Sequence, residues 1–244
     1  MNKKKIAFFI FGLVTFGLLF LSISKMAKPI VTHVNPIYKN ERVDFNDIFE
    51  GSRYISLNVD SKRKELLDTG LIEDVVVEKA FSKKIFLKVT WKKPIVAIES
   101  AGKYYLIAKE GYVIDISDNA KKLDVINNVI IKSAKLGHPI VTEDNYQFSA
   151  AVELVKLMNL NKSAINIKLL NNKTKKTKIM IENNNLVQFL NDKYVINYGD
   201  GRNIREKFEK MVNIVNELAD KRGVSSGVIN LTVPNNVSYK AWTE

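Results

Sequence analysis

An apolar run near the N-terminus places the strongest constraint on this chain. From Ile6 to Ile23 the sequence contains no charged residue, and about 18 to 20 apolar residues are enough to cross the hydrocarbon core of a bilayer. A helix buried in a soluble protein is rarely apolar on every side. We therefore predict a single transmembrane helix over residues 6–24, with Ile6, Phe11, Leu18 and Ile23 as membrane-anchoring residues.

The flanking charges give the orientation of this helix only modest support. Lysines lie on both sides of the run, at residues 3–5 before it and at Lys25 and Lys28 after it, so the positive-inside rule favours a cytoplasmic N-terminus weakly. Stronger support comes from the long polar remainder of the chain, which contains no second run of this kind. We predict that residues 1–5 form a cytoplasmic tail and that the rest of the chain beyond the helix is exported.

A cleaved signal peptide is the alternative interpretation of this segment. Ser22 and Ser24 are small residues that flank Ile23, and they could provide a small-x-small cleavage signal. The apolar run exceeds the usual span of about 7 to 15 residues in a signal peptide, however, so we favour an uncleaved anchor.

Residue counts exclude several kinds of chemistry. The chain of 244 residues has no cysteine, which rules out disulfides, thiol nucleophiles and thiolate metal sites. Its two histidines, His33 and His138, are far apart in the sequence. We find no phosphate-binding glycine loop, no His-Glu-x-x-His helix and no nucleophile elbow. We therefore predict no enzymatic activity, no metal, no cofactor and no small-molecule substrate.

The chain also carries an excess of positive charge. A formal net charge of +12 would suit an anionic surface or nucleic acid. The lysines are scattered, however, except in the run "NNKTKKTK" at residues 171–178. We interpret this run as a solvated turn in a hairpin, with a lipid-headgroup or nucleic-acid site as the less favoured alternative, and we predict no nucleic-acid partner.

The first part of the exported chain has the pattern of a small α+β domain. A strand over Ile30–Val34 precedes two short helices, which we predict to begin at Asp44 and Asp60 as N-caps. Two apolar runs at 75–81 and 85–91 follow, and the second alternates with a period of two, as expected for a hairpin. Pro94 is expected to end this hairpin. The predicted order is β-α-α-β-β over residues 29–95.

The rest of the chain predicts a larger mixed α+β domain over residues 96–244. Short strands at residues 104–108 and 112–117 and near Val129 lead to a helix at about 146–158. Several further strands then precede a long helix over about 203–221. Two final strands, "GVINLTV" and "VSYKAW", would place the chain end at an edge of the sheet.

This order of elements and several motifs resemble the bacterial cell-division family FtsQ/DivIB. The first domain is similar to the family's POTRA unit, and the second to its β domain. The motifs that carry the resemblance are "ISLNVD" (55–60), "LLDTGLIEDVVVEKAFSKKIFLKV" (66–89), "WKKPIVA" (91–97), "YYLIAKEGYVID" (104–115), "YGDGRNIREKFEKMVNIV" (198–215) and "VINLTV" (228–233). Trp91 and Lys92 stand in place of the family's Glu-Arg, Gly70 and Ser82 in place of prolines, and Asn230 in place of an aspartate.

The resemblance implies a non-enzymatic divisome scaffold in the cytoplasmic membrane at the division septum. Such proteins bind the single-pass partners FtsB and FtsL outside the membrane and help to control septal peptidoglycan synthesis. In the family the POTRA unit contributes to recruitment, and the last strand of the β domain accepts FtsB by strand addition. An exported adaptor or substrate-binding module without a division role is the alternative, and an exported hydrolase is disfavoured by the missing catalytic groups.

The terminal strand supports strand addition on physical grounds as well. An edge strand carries backbone N–H and C=O groups that can pair with another chain. In "VSYKAW" Val237, Tyr239 and Ala241 are expected to face the core, whereas Trp242 is either an exposed hot spot or a residue folded back onto the sheet. The predicted partner-binding residues are Val233, Val237, Ser238, Tyr239, Lys240 and Trp242.

Overall fold

The computed structural model describes most of the chain. The described residues are 12–19, 22, 29–33, 43–80, 83–161, 177–190, 193–221, 226–233 and 236–242. The fold is mixed α+β, which confirms the predicted class. The chain divides between Trp91 and Lys92 into two compact units, which we call the first and second unit.

The described part of the N-terminal segment is short. Residues 12–19 are helical, and Leu18 in this helix is exposed. Within the described ranges, no helix combines the length and the apolar character needed to span a bilayer. Ile6, Phe11 and Ile23 lie outside the described residues.

The described residues of the first unit from residue 29 onward form a three-stranded sheet with two helices. Its elements are β1 (Ile30–His33), α1 (Phe45–Phe49), α2 (Val59–Asp68), β2 (Ile72–Ala80) and β3 (Lys84–Trp91). Strand β3 is central, parallel to β1 and antiparallel to β2. Alternating apolar residues of β3 are buried, and Trp91 packs edge-on against Phe45 with ring centroids 6.0 Å apart.

Helix caps explain where α1 and α2 begin. The Asp44 carboxylate accepts hydrogen bonds from the backbone N–H groups of Asn46 and Asp47, as predicted. The prediction for α2 was wrong by two residues, because its N-cap is Asn58, whose side chain accepts from Ser61 N at 3.0 Å. Both Asn and Asp are good N-caps, and here Asp60 lies in the first turn instead.

The second unit is built on a nine-stranded sheet. In chain order its elements are β4 (Pro94–Ser100), β5 (Lys103–Ala108), β6 (Val113–Ser117), β7 (Asp124–Asn127), β8 (Ile131–Ser133), β9 (Val141–Thr142), α3 (Asn145–Leu160), β10 (Lys178–Glu182), β11 (Asn185–Leu190), β12 (Tyr194–Gly199), α4 (Ile204–Lys221), β13 (Gly227–Asn230) and β14 (Ser238–Ala241). The strand order of the large sheet is β14-β13-β12-β11-β10-β7-β4-β5-β6, and β8 pairs separately with β9.

Two local expectations for this unit need correction. Pro94 does not merely follow the hairpin, because it is the first residue of β4, a position that tolerates a missing N–H. The predicted strand near Val129 is split into β7 and β8, and Asn128 between them has a φ of 60°. The strand predicted before the lysine-rich run, "INIKLL" at residues 165–170, lies outside the described residues, as do residues 171–176 of the run itself. Gly223, which is predicted to end the long helix, also lies outside them.

The core of the second unit forms where α3 and α4 pack together on the sheet. Helix α3 buries Phe148, Val152 and Val155, and α4 buries Met211 and Val215. Burial of each such side chain contributes about 1.5–3 kcal/mol. The amphipathic stripes of both helices therefore fix them against the sheet.

A buried lysine joins α4 to the end of β12. Lys207 is only 2% exposed, and its Nζ donates a hydrogen bond to the Tyr198 carbonyl at 2.6 Å. The Asp200 carboxylate lies 3.8 Å from the same nitrogen. Burial lowers the pKa of Lys207, and Asp200 acts in the opposite direction. The ammonium thus satisfies a backbone acceptor inside the protein.

We predict that Lys207→Met destabilises the second unit. Methionine fills a similar volume but leaves the Tyr198 carbonyl without its donor, which costs about 1–3 kcal/mol. Urea unfolding of the purified chain measures this loss. As a control, Lys210→Met removes a lysine that pairs with Glu206 at 2.9 Å and is much less buried; it should change the free energy of unfolding by under about 1 kcal/mol. Equal losses in the two variants would contradict the role of the buried contact.

Candidate functional site, an open sheet edge

Strand β14 lies at one end of the nine-stranded sheet. It pairs in antiparallel fashion with β13, with Asn230 opposite Ser238 and Gly227 opposite Ala241. Among the described strands, none pairs with its other side. The last strand of the described chain is therefore an edge strand.

The hydrogen-bond pattern determines which backbone groups of β14 point outward. Trp242 N donates to Ser226 O at 3.4 Å, so these two residues form a hydrogen-bonded pair. Hydrogen-bonded and non-hydrogen-bonded pairs alternate along an antiparallel ladder. Lys240 and Ser238 consequently direct their N–H and C=O toward β13, whereas Ala241 directs its own away from it. Outward-directed groups of this kind are a template for a further strand.

The side chains of the segment alternate as the sequence predicts, with one exception. Val237 and Tyr239 pack against the hydrophobic core, whereas Ser238 and Lys240 are exposed. Ala241, which was expected to face the core, is exposed as well. Its cross-strand neighbour is Gly227, which has no side chain to cover it.

Tyr239 fixes β14 to the sheet through a contact that the sequence analysis missed. Its hydroxyl donates a hydrogen bond to Ser226 O at 2.9 Å. A Cβ added to Gly227 would lie 2.5 Å from Cε2 of the Tyr239 ring and 2.6 Å from Lys240 O. The ring therefore occupies the space that a side chain at residue 227 would need. A glycine within a strand signals such close approach, and that signal was present in "GVINLTV".

A second tyrosine lies beside this contact on the inner face. Tyr194 on β12 pairs with Gly227 across the parallel β12–β13 ladder and is buried. Burial raises the pKa of the Tyr194 hydroxyl, and the neighbouring Tyr239 raises it further. The Tyr194 hydroxyl therefore stays protonated at neutral pH and adds no charge beneath β14.

Two predicted site residues, Trp242 and Val233, lie outside β14 itself. The side chain of Trp242 is 44% exposed, directly after the strand. Val233 lies in the connection between β13 and β14 and is also exposed. Five of the predicted residues thus lie in one continuous segment, 237–242. Val233 lies apart from this segment, in the connection that precedes β14.

The opposite edge of the sheet, β6, is blocked. Val113 N donates to His138 O at 3.0 Å, and Gly137 N donates to Val113 O at 2.8 Å. Further along, the Asp115 side chain accepts from Ile116 N at 2.9 Å and pairs with Lys121 at 2.6 Å. A bridging segment and a charged pair on an edge are both devices that prevent strand pairing. Within the described part of the second unit, these devices protect β6.

One acidic pair in the described part of the second unit lines a cavity. A cavity of about 630 Å³ includes Glu143 and Asp144 in its lining, but Asp144 is the N-cap of α3 and accepts from Gln147 N at 2.9 Å. In the ranges that the structure describes, no three His, Asp or Glu side chains are grouped as metal ligands.

Comparison with known proteins supports the family resemblance. No protein-family model matches the chain. The cell division protein DivIB of Clostridium tetani (strain Massachusetts / E88) is 24% identical over 202 residues, which cover 82% of this chain and 73% of that protein. This match confirms the resemblance to the FtsQ/DivIB family and supports a role in cell division.

We predict that Gly227→Ala displaces β14. The added methyl group would overlap the Tyr239 ring and Lys240 O, and overpacking of this kind costs about 1–3 kcal/mol. Amide hydrogen exchange in β14 should become faster, and the free energy of unfolding should fall. The control is Ala241→Ser, because Ala241 is the residue of β14 opposite Gly227 and its side chain is exposed. It should leave exchange in β14 unchanged. Unaltered exchange in Gly227→Ala would show that the close contact does not hold the strand.

Proposed function

We propose that this chain is a non-enzymatic divisome scaffold that binds a partner strand at β14. The observation that carries the proposal is the contrast between the two edges of the large sheet. The β6 edge is covered and charged, whereas β14 directs the backbone of Ala241 outward beside the exposed Trp242. Strand addition at such an edge gains affinity from main-chain bonds and specificity from alternate side chains.

The side chains of β14 divide this work between them. Tyr239 packs against the core and keeps the strand in place, so it acts on binding by positioning the edge. Ser238 and Lys240 project to the solvent side, where they can select the side chains of an added strand. Trp242 offers a large apolar surface at the end of the strand, and exposed tryptophans are frequent binding hot spots.

The partners proposed here are single-pass division proteins similar to FtsB and FtsL. This identification rests on the family resemblance and on the relative's name as a cell division protein. In such a complex the chain would help to control septal peptidoglycan synthesis at the division septum. A chain without enzymatic activity suits this role, since the scaffold only positions other proteins.

The proposed anchor is a transmembrane helix over residues 6–24 with the N-terminus in the cytoplasm. It is supported by the uncharged run in the sequence and by the exposed apolar side chains of residues 13, 14, 16, 18 and 19 in the described helical segment. Exposed apolar surface of this extent is unfavourable in water but favourable in lipid.

The proposed domains are a POTRA-like unit over residues 29–95 and a β domain over residues 96–244. The order β1-α1-α2-β2-β3, with β3 between β1 and β2, supports the first assignment. An exported adaptor without a division role is the alternative function. Retention of the intact chain in the membrane fraction, together with division proteins, distinguishes the scaffold from a released adaptor.

We predict that Trp242→Glu abolishes co-purification of the single-pass partners. A carboxylate at the end of β14 would replace the apolar contact with a solvated charge. Affinity purification of the detergent-solubilised full-length chain, followed by mass spectrometry, measures the loss. The control is Ile116→Glu on β6, which places the same charge on an edge residue of similar exposure, 41% against 44% for Trp242. Partners retained by Trp242→Glu would move the docking site elsewhere, and the absence of division proteins from the unmodified chain would overturn the scaffold role.

We predict that Ala241→Pro weakens binding of the same partners without unfolding the chain. Proline removes an N–H that points away from β13, so the internal ladder stays intact while an added strand loses a donor. Ala241→Ser keeps the N–H and is the control. Partner affinity in detergent should fall about 5-fold or more, because the partner's carbonyl is left without a donor in a desolvated interface, at a cost of about 1–3 kcal/mol. An unchanged affinity would argue against strand addition even if Trp242 proves essential.

A further inference from the structure

The strand register of the first unit brings three chain segments to one end of its sheet. Ile30 at the start of β1 is aligned with Lys84 at the start of β3. Lys84 is in turn paired with Ala80 at the end of β2. The N-terminal segment therefore enters the first unit beside the turn between β2 and β3. We call this end, with its described exposed residues Ile30, Arg53, Ile55, Lys79, Lys83 and Lys84, the turn end.

Positive charge is concentrated at the turn end. Lys79, Lys83 and Lys84 are exposed, and none of them forms an ion pair with another described residue. Glu78 is the nearest carboxylate on β2, and strand alternation directs it to the face opposite Lys79 and to the same face as Lys84, diagonally across the β2–β3 ladder. Asp74 lies five residues before Lys79, about 16 Å along the strand, and is paired with Arg63 at 2.8 Å.

Apolar surface accompanies these lysines. The Tyr54 hydroxyl donates a hydrogen bond to the Ala80 carbonyl, and Lys79 Nζ lies 6.0 Å from the centre of the Tyr54 ring. These contacts hold the α1–α2 connection at the turn end. Ile55, which follows Tyr54 in this connection, is 62% exposed, and Ile30 is 56% exposed. Lysines interspersed with exposed aliphatic side chains are typical of surfaces that bind a membrane interface.

The chain length before β1 keeps this end close to a bilayer. Six peptide steps separate residue 24, the end of the proposed anchor, from Ile30, and they span at most about 20 Å when fully extended. The headgroup layer occupies about 5–7 Å of that distance on each side of the bilayer. At physiological salt, charges interact over a Debye length of about 8 Å. The tether thus allows the turn end to come within one Debye length of the lipid headgroups, and even at full extension it holds that end no more than about 15 Å above them.

We propose that the turn end of the first unit docks on anionic lipid headgroups through Lys79, Lys83 and Lys84, with Ile30 and Ile55 in contact with the interface. The proposal rests on the proposed membrane anchor. Docking would fix the orientation of the first unit on the membrane and leave its opposite end, with Glu73 and Asp74, directed away from the anionic surface.

The absence of cysteine permits a direct test with a single attached label. The full chain is reconstituted in nanodiscs that carry a nitroxide on a fraction of the headgroups, and a fluorophore is placed at Ile55→Cys or, as the distant site, at Glu73→Cys. In an equal mixture of phosphatidylcholine and phosphatidylglycerol, quenching should be strong at residue 55 and weak at residue 73. In phosphatidylcholine alone, quenching at residue 55 should decrease.

Charge removal provides the second arm of the test. Replacement of Lys79, Lys83 and Lys84 by Gln in the Ile55→Cys chain should lower the docking equilibrium constant on the order of 100-fold, because each lysine near an anionic surface contributes roughly a five-fold factor. The matched control replaces the exposed residues Lys122, Lys132 and Lys135 of the second unit by Gln and should leave the quenching unchanged.

Three outcomes overturn the proposal in distinguishable ways. If the chain does not insert into nanodiscs, the anchor fails and the docking surface fails with it. If the chain inserts but residue 55 is no more quenched than residue 73, docking fails while the anchor and the strand-addition site stand. If quenching at residue 55 changes neither with lipid charge nor with removal of the three lysines, the tether alone accounts for the proximity.

Discussion

The antiparallel ladder between β13 and β14 is the interaction on which the candidate site depends. Its register places the Tyr239 ring over Gly227 and points the backbone of Ala241 outward. A slip of one residue would turn Tyr239 to the solvent and the exposed side chains to the core. The missing side chain at Gly227 and the hydroxyl bond to Ser226 O both oppose such a slip, so one packed ring orients the entire edge.

The two edges of the large sheet then differ in how their outward backbone groups are covered. Unpaired strand edges promote aggregation, and proteins ordinarily blunt them. The β6 edge follows this rule through the 137–140 segment and the Asp115–Lys121 pair. Strand β14 is itself short and carries the exposed Lys240, but among the described residues no segment bridges it, and the proposed partner strand would cover this edge.

Local patterns in the sequence predicted much of this fold, and long-range register accounts for what they missed. Alternation of apolar and polar residues identified the β2–β3 hairpin and the inward positions of Val237 and Tyr239, because the apolar residues of a half-buried strand mark its buried face. Strand β4 was missed because its continuous apolar run lacks alternation, as a central strand covered on both faces does. The role of Gly227 depends on a ring twelve residues away in the chain, and no single-strand pattern contains that information.

A strand as short as β14 is compatible with a scaffold whose partner is held in the same membrane, as proposed above. Four residues offer only a few outward main-chain bonds, each with a modest net contribution of about 0.5–1.5 kcal/mol. A soluble partner bound through so few bonds would dissociate at low concentration. A partner held in the same membrane is instead confined near the scaffold, and confinement of this kind raises effective concentrations to the millimolar range. Together with the proposed membrane anchor, a weak edge would therefore give selective assembly within the membrane and little pairing with stray strands elsewhere.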